Sequence, residues 1–487
     1  MAFEILTSEQ MQEADRLAIK AGMSSFSLME RAGAGVAEAV RTLYKGRKIL
    51  ILCGPGNNGG DGFIAARILK DKKFAVRVAC VVKTDKLKGD AALAAKGWKD
   101  IVIPFDKLVV GPEDVIVDAV FGTGFSGALK NPVTDVFAQA KKTGNDVVAV
   151  DIPSGVNGST GEADPHTPKA IHTVTFFRKK IGHILLPGMV LSGEVKVIDI
   201  GIVDKSLDKI GYVCVENHPG LWKSHVKPKA AADNKYDHGH VLVFGGGRLT
   251  GAACMAAHAA LRVGAGLCTV SSPIEVMNVY RAYLPNLMVE QRAGTASFYS
   301  QMKDTRRNAV LIGPGAGVED ADGLRQAVLD VCRDGRPCML DADALTVFGG
   351  DPDVLLKALA PHCVLTPHEG EFSRIFPGLK EGIKTGRAAA AGKLASAVIL
   401  LKGADTVIAS PDGRVAVSIN APPSLATGGA GDVLAGLIAG LLARHVPPFE
   451  AACAGAWIEG RAAALFGPGL MATDLFERIP AVLQEFS

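Results

Sequence analysis

The stretch Thr427–Gly436, TGGAGDVLAG, places three glycines within four residues, follows them with Asp432, and runs straight into an apolar helical pattern. As local structure, this is a tight loop before a buried helix, with the aspartate near its N-terminal cap. As chemistry, the glycines bare backbone N–H groups at a helix N-terminus, a combination that binds anions such as phosphate. A P-loop kinase needs G-x-x-x-x-G-K-[ST], and that string is absent from the chain. A phosphate site here therefore requires another architecture, and the other strand ends have to supply it.

Working outward, the same half of the chain repeats one rhythm. HVLVFGGG, GLCTVSSP, AVLIGPGAG, PCMLDADAL, CVLTPHEGEF and AVILLKGADTVIAS each read as a β-run ending in a turn, with Ala-rich amphipathic runs between them. That alternation predicts βαβ units and a parallel sheet. Lys402–Thr406, KGADT, presents a lysine and amides at one strand end, and TPHEGEF puts His368 and Glu371 at another. The latter is not a zinc H-E-x-x-H motif, because Phe372 stands where the second histidine belongs. GPGAG at Gly313–Gly317 and GGGRLTGAA at Gly245–Ala253 complete the set. A lone glycine turn reads as turn chemistry; five such loops at strand ends of one domain point to a ligand edge.

The N-terminal half carries the same rhythm in KILILC, AVRVACVV, DVIVDAVFG and DVVAVDIPSG. Before it, TSEQMQEADRLAIKAG and the run that follows predict helices, with Thr7 and Gln10 spaced as a capping box. Gly54, Gly56 and Gly59 fall in G-x-G-x-x-G register between strand and helix. The acid that a dinucleotide fingerprint wants at the end of the next strand is missing, since Cys80 and Lys83 occupy that region. Asp151 follows the β-run DVVAV, and Pro153 stiffens the turn after it, so its carboxylate is aimed. A strand-end Asp is also a common turn former. Between Val203 and His240 the pattern loosens into Pro, Lys and His, which places the boundary near 215–225, with domains 1–215 and 225–487.

At 487 residues, with 48% apolar, 21% charged and a formal net charge of +3, the chain is an ordinary globular one. No block of like charge supports a nucleic-acid or membrane-surface role. VLAGLIAGLLA, from Val433, is about half a membrane span. The N-terminus has no secretory h-region, so a soluble cytoplasmic protein is expected. Nine cysteines scattered singly, without a C-x-x-C pair, predict reduced thiols and neither a disulfide framework nor a zinc site.

GPGNNGGDGFIAAR, VDAVFGTGFSGAL and VAVDIPSGVNGSTG, in this order, resemble the N-terminal epimerase domain of the NAD(P)H-hydrate repair proteins over about residues 5–210. The resemblance implies a Rossmann-like three-layer α/β domain whose strand-end loops meet in one pocket. It places Asn57, Asn58, Gly59, Gly60 and Asp61 on the substrate, with Gly122, Thr123, Gly124, Phe125, Ser126, Gly127 and Ala128. Asp151 becomes the acid/base group, and Asn58, Asp118 and Ser154 become ligands of a potassium ion, oxygen donors that suit such a cation.

LRVGAGLCTV, LDADAL, LATGGAGDVLAG and AACAGAWIEGRAA resemble the ADP- or ATP-dependent NAD(P)H-hydrate dehydratase over about residues 225–485. A ribokinase-like α/β domain is implied, in which glycine amides hold phosphate and Asp432 takes the proton of a substrate hydroxyl. Ala252, Gly315, His368 and Asp432 would contact the hydrated dinucleotide; Lys402, Gly403, Ala404, Asp405, Thr406 and Gly431 would contact the nucleotide. Magnesium is expected with that nucleotide, with Glu371 and Asp343 as candidate ligands. One departure stands out: Tyr236 in NKYDHGH replaces a glycine common in the family. The implied function is repair of R- and S-NADHX and NADPHX, by epimerisation and nucleotide-dependent dehydration to NAD(P)H, releasing AMP or ADP and phosphate. ADP dependence and a homo-oligomer are expected. The alternatives are a small-alcohol kinase, and a non-catalytic dinucleotide-binding regulatory module.

Overall fold

The computed structural model describes residues 3–228 and 230–486. The chain divides into two compact units that part between Val215 and Glu216. Residues 216–226 belong to the second unit. Trp222 there is wholly buried, and its Nε1 donates to Asn217 Oδ1 at 3.2 Å, while Asn217 Nδ2 donates to Ser418 Oγ and to Cys453 O.

In the first unit seven parallel strands run in the order Val102–Pro104, Ala75–Cys80, Lys48–Cys53, Asp114–Ala119, Val147–Val150, His172–Phe176, Glu194–Ile198. The central strands read as unbroken apolar runs because both of their faces are buried. Ile49, Ile51 and Cys53 join one core cluster with the helices Ser8–Lys20, Ser25–Leu43 and Asn57–Asp71. Leu50 and Leu52 point the other way, into a second cluster with the helix Val133–Thr143. Three layers follow, as the sequence predicts. The Thr7–Gln10 capping box is formed.

Strand order reverses between Lys48–Cys53 and Asp114–Ala119, and a doubly wound sheet opens its ligand crevice at that switch point. Glycine makes the close approach possible. A Cβ on Gly54 would lie 1.8 Å from Val120 O, and one on Gly59 would lie 2.0 Å from Gly54 O.

The second unit repeats the plan. Its parallel strands run Met288–Gln291, Leu267–Ser272, His240–Phe244, Ala309–Ile312, Cys338–Leu340, Cys363–Leu365, Val398–Leu401, with Thr406–Ala409 and Val415–Ser418 added antiparallel. The helix Ala430–Ala443 packs on Thr250–Arg262 through glycines four residues apart. A Cβ on Gly436 would meet Ala256 O at 2.1 Å, and one on Gly440 would meet Ala260 O at 2.6 Å. Among the described residues no helix is long and apolar enough to cross a membrane.

All nine cysteines are free and buried. Their scattered spacing hides one cluster, however. Cys338, His362 and Cys363 converge on one point, brought together by strand pairing that linear spacing does not show.

Candidate functional site

In the first unit, three strand-end loops converge on a cavity of about 440 Å³. Its wall includes Asn57, Asn58 and Asp61 from the start of the helix Asn57–Asp71, Gly122–Phe125 from the loop after Asp114–Ala119, and Asp151. Asp151 has φ 65°, a left-handed strain uncommon for a residue with a side chain, and it turns the carboxylate inward. A Cβ on Gly122 would sit 3.1 Å from Asp151 Oδ2 and 3.2 Å from Asn58 Oδ1, so glycine lets these loops close up.

Asp151 is held on every side. Thr123 N donates to its Oδ2 at 3.1 Å; Thr175 Oγ1 and Lys180 Nζ donate to Oδ1 at 2.9 and 2.7 Å. Burial pushes the carboxyl up, but the Lys180 ammonium outweighs it and brings Asp151 to about 2. His183 Nε2 donates to Asp151 O at 2.8 Å, and its Nδ1 accepts from Lys180 N, which fixes the tautomer of a neutral ring that burial holds at about 3. Asp61 is the opposite case. Burial first, then the charges of Asp151 and Asp15, push it well above the carboxylate range. Asp15, on the same wall, is raised by burial to about 6.

Asp118 and Ser154 lie behind the cavity. Ser154 Oγ and N donate to the two carboxylate oxygens at 2.6 and 2.8 Å, and Phe121 N donates to Ser154 Oγ. Burial raises Asp118 to about 6, with only these neutral hydrogen bonds and one from Val120 to oppose it. The neighbouring Asn58 keeps a buried Nδ2 without a partner among the described residues. Oxygen donors around an uncompensated buried carboxylate fit a weakly hydrated monovalent cation.

The second unit's site gathers around the opening stretch. The helix Ala430–Ala443 starts after Gly429, at φ 92°, and Val433 N is the amide that bonds back to Gly429 O. Ala430 N donates to Thr427 O at 3.3 Å, and amides of a first helical turn have no intrahelical acceptor, which leaves those of Gly431 and Asp432 to face outward. A Cβ on Gly431 would lie 3.6 Å from Lys402 Nζ and 3.9 Å from Asp341 Oδ2. Lys402 Nζ itself donates to Asp341 Oδ1 at 2.8 Å. Burial, then Asp341, then Asp343 raise Asp432 to about 6, against the lowering pull of Lys402. Glu459 behind them is pushed by burial to about 8, and its Oε1 has no partner among the described residues.

Loops from the switch point of this sheet complete the edge. A Cβ on Gly246 would lie 1.7 Å from Gly315 O, and one on Gly315 would lie 3.1 Å from Ala252 Cβ, so these backbones are in contact. Gly317 N donates to Asp343 Oδ2 at 2.9 Å.

A family described as NAD(P)H-hydrate dehydratase matches residues 241–481, and one described as the YjeF-related protein N-terminus matches residues 25–182. The chain is similar to the bifunctional NAD(P)H-hydrate repair enzyme Nnr of Moorella thermoacetica, 36% identical over 99% of this chain and 96% of the relative. The belonging follows from that match. The chain is a member of the bifunctional NAD(P)H-hydrate repair enzyme family. The Nnr enzyme of Coxiella burnetii is 35% identical over 97% of this chain and 98% of the relative. A solved ADP/ATP-dependent NAD(P)H-hydrate dehydratase from Bacillus subtilis, co-crystallised with ATP and Mg2+, is 29% identical, covering 54% of this chain and 97% of that one, with a TM-score of 0.46.

As a repair enzyme, the chain carries its epimerase domain in the first unit and its nucleotide-dependent dehydratase domain in the second. Of the residues expected in the epimerase pocket, Asn57, Asn58, Asp61, Gly122, Thr123, Gly124, Phe125 and Asp151 line the cavity. Gly59 and Gly60 are buried in packing instead, against Gly54 and Met29, while Ser126, Gly127 and Ala128 are exposed outside that wall. In the dehydratase, His368 caps the helix Glu369–Ile375: its Nδ1 accepts from Gly370 N and Glu371 N, and Glu371 Oε2 accepts from His368 N. Asp405 is buried on Lys384, at 2.6 Å, and Gly403 and Thr406 close a self-bonded turn that leaves Ala404 exposed. The sequence reading misses Lys180, Asp341, Lys384 and Glu459. Two of them lay inside quoted motifs, Asp341 in LDADAL beside Asp343 and Glu459 in AACAGAWIEGRAA.

Proposed function

We propose that the second unit phosphorylates the ring hydroxyl of the S hydrate with Asp432 as general base. The supporting observation is the placement of Asp432, at about 6, in the first turn of a glycine-led helix beside Lys402. Such a group is ionised at neutral pH yet still basic enough to accept a proton. The substrate oxygen attacks the terminal phosphorus, the bond to the nucleotide's bridging oxygen breaks, and the hydroxyl proton passes to Asp432. Outward amides near Gly431 hold the charge of the PO3 unit in transit, and Lys402 adds to them. Phosphate then departs as the ring nitrogen's lone pair forms a C=N bond. Loss of a proton from the adjacent ring carbon restores the double bond, giving NAD(P)H, inorganic phosphate and AMP or ADP.

Asp343 and Glu371 each have a carboxylate oxygen beyond their amide bonds, hard donors that fit magnesium. Bound there with the nucleotide, magnesium would neutralise phosphate charge. The adenine nucleotide is proposed to be ADP, seated along Lys402–Thr406.

In the first unit, the electrostatics favour Asp61 for proton transfer and Asp151 for charge stabilisation, where the sequence suggests Asp151 as the acid/base group. Asp61, kept protonated by burial, hands its proton to the ring hydroxyl, which leaves as water as the nitrogen lone pair forms C=N. Asp151, a permanent anion, offsets the positive charge of that ring. Water then adds to the opposite face of the planar C=N carbon, and its proton is relayed through solvent water back to Asp61, completing the inversion with no net change in protons. Potassium held by Asn58, Asp118 and Ser154 would supply the positive charge that Asp118 lacks. Free buried thiols support a reducing compartment such as the cytoplasm.

The test mixes racemic hydrated NADH with the protein and ADP, or ATP, and follows reduced-nicotinamide absorbance and phosphate release together. Equal yields of both support the reading. Accumulation of a stable phosphorylated hydrate would instead support a small-alcohol kinase.

A further inference from the structure

At the opposite end of the second unit's strands from Asp432 lies a cluster that the repair chemistry does not use. Cys338 and Cys363 open the strands Cys338–Leu340 and Cys363–Leu365 and are register partners across them. Their Sγ atoms and one ring nitrogen of His362 all lie within 4.8 Å of one another. A third thiol, Cys332 from the last turns of the helix Ala321–Asp334, lies beside both.

We propose that Cys338, His362 and Cys363 form three corners of a tetrahedral site for one zinc-class divalent cation, with the Cys332 thiol, beside the two cysteines, closing in as the fourth ligand. Three sulfurs and an imidazole are a set that structural zinc sites use, with Zn–S about 2.3 Å and Zn–N about 2.0–2.1 Å. Such bonds put neighbouring ligand atoms roughly 3.5–3.8 Å apart, inside the 4.8 Å that bounds Cys338, His362 and Cys363.

The histidine's second nitrogen is set up for this role. His362 Nε2 lies 2.9 Å from Cys332 O. A carbonyl only accepts, so Nε2 carries the proton and the Nδ1 lone pair is left for a ligand. Metal-binding histidines are oriented in this way by an outer carbonyl. Only His362 is partly exposed, which marks the way in.

A plain buried-thiol packing explains the cysteines, since free cysteine behaves as a small apolar residue. It does not explain an oriented imidazole among them. The cation would tie the helix Ala321–Asp334 to two three-residue strands, one of which leads directly into Asp341. Binding displaces thiol protons, so affinity falls as pH drops.

The experiment strips the reduced full-length protein with a chelator and titrates it with Co2+ alone. The expected result is one equivalent per chain, with intense thiolate-to-cobalt and tetrahedral visible bands that Zn2+ abolishes and Mg2+ does not. His362→Asn should weaken binding at least about ten-fold. The Cys338→Ser, Cys363→Ser pair should lose the bands and keep dehydratase turnover. X-ray absorption of the zinc-loaded wild type reads the same shell without any variant, with sulfur dominating. Absence of the bands, bands that survive in the double variant, an oxygen- and nitrogen-only shell, or a Cys338–Cys363 disulfide in the reduced protein each overturns the proposal.

Discussion

Asp432 owes its raised value to burial first, then to Asp341 and Asp343, with Lys402 offsetting only part. A base must be unprotonated, so dehydration should fall as pH drops through about 6 and level off above it. Asp432→Asn should cost about 10²–10⁴-fold in dehydratase kcat and remove that acid limb, read as nicotinamide absorbance across a pH series. A variant with parental turnover refutes the assignment. Asp151 runs the other way. Its value of about 2 lies below the roughly 3.9 of an unfolded Asp, so its stabilisation is intact above pH about 4 and is lost as pH falls toward 2. Lys180→Met would leave this anion buried and unpaired, destabilising the first unit by about 3–5 kcal/mol in urea melts. Adding Asp151→Asn should return much of that loss; no return would mean the pair is not what holds Lys180. Both aspartates are legible in the sequence because each sits where a strand or glycine run ends. Lys180 is not: RKK after a strand looks like a solvated charge run, and only tertiary packing decides which lysine turns inward.

The G-x-G-x-x-G loop shows how an element can be legible in outline while its glycines differ in role. Gly54 and Gly59 are needed because backbone carbonyls lie where their Cβ atoms would go, whereas a Cβ on Gly56 would meet nothing within 4 Å. Gly59→Ala should therefore destabilise by about 1–3 kcal/mol, and Gly56→Ala should leave the melting curve near the parent's. Equal effects would mean that the helix Asn57–Asp71 does not enter the sheet edge as described. The Val433 run has the same logic: its glycines, four apart, read as an apolar helix in sequence, and their contacts with Ala256 and Ala260 appear only once Thr250–Arg262 is packed against them. Strands were legible where both faces are apolar, as in KILILC. His172–Phe176 and Glu194–Ile198 are not legible as strands because Thr, Lys and Glu alternate through them in place of an apolar run.

On the scale of the whole chain, the restart of strand–helix rhythm after His240 made two α/β units legible. Convergence of residues far apart in sequence was not: Cys332, Cys338 and Cys363 carry no metal spacing, and Asp61, placed on the substrate by resemblance, gives no sign in NNGGD of the burial that keeps it protonated. Each unit has its own switch-point loops and its own perturbed carboxyls, so one activity can be removed without the other. Racemic hydrate with excess nucleotide should be recovered completely by the parent chain. Asp61→Asn, still full length, can neither give nor take the proton, so fast recovery should stop at the S share present at mixing, with the R epimer left on chromatography. Asp432→Asn should show the reverse: R and S still exchange, while absorbance does not return. Mixing the two variants should then restore full recovery, because the S hydrate made by one diffuses to the other. If Asp61→Asn alone consumes both epimers at the parental rate, the neutral acid of the first pocket is not the proton source.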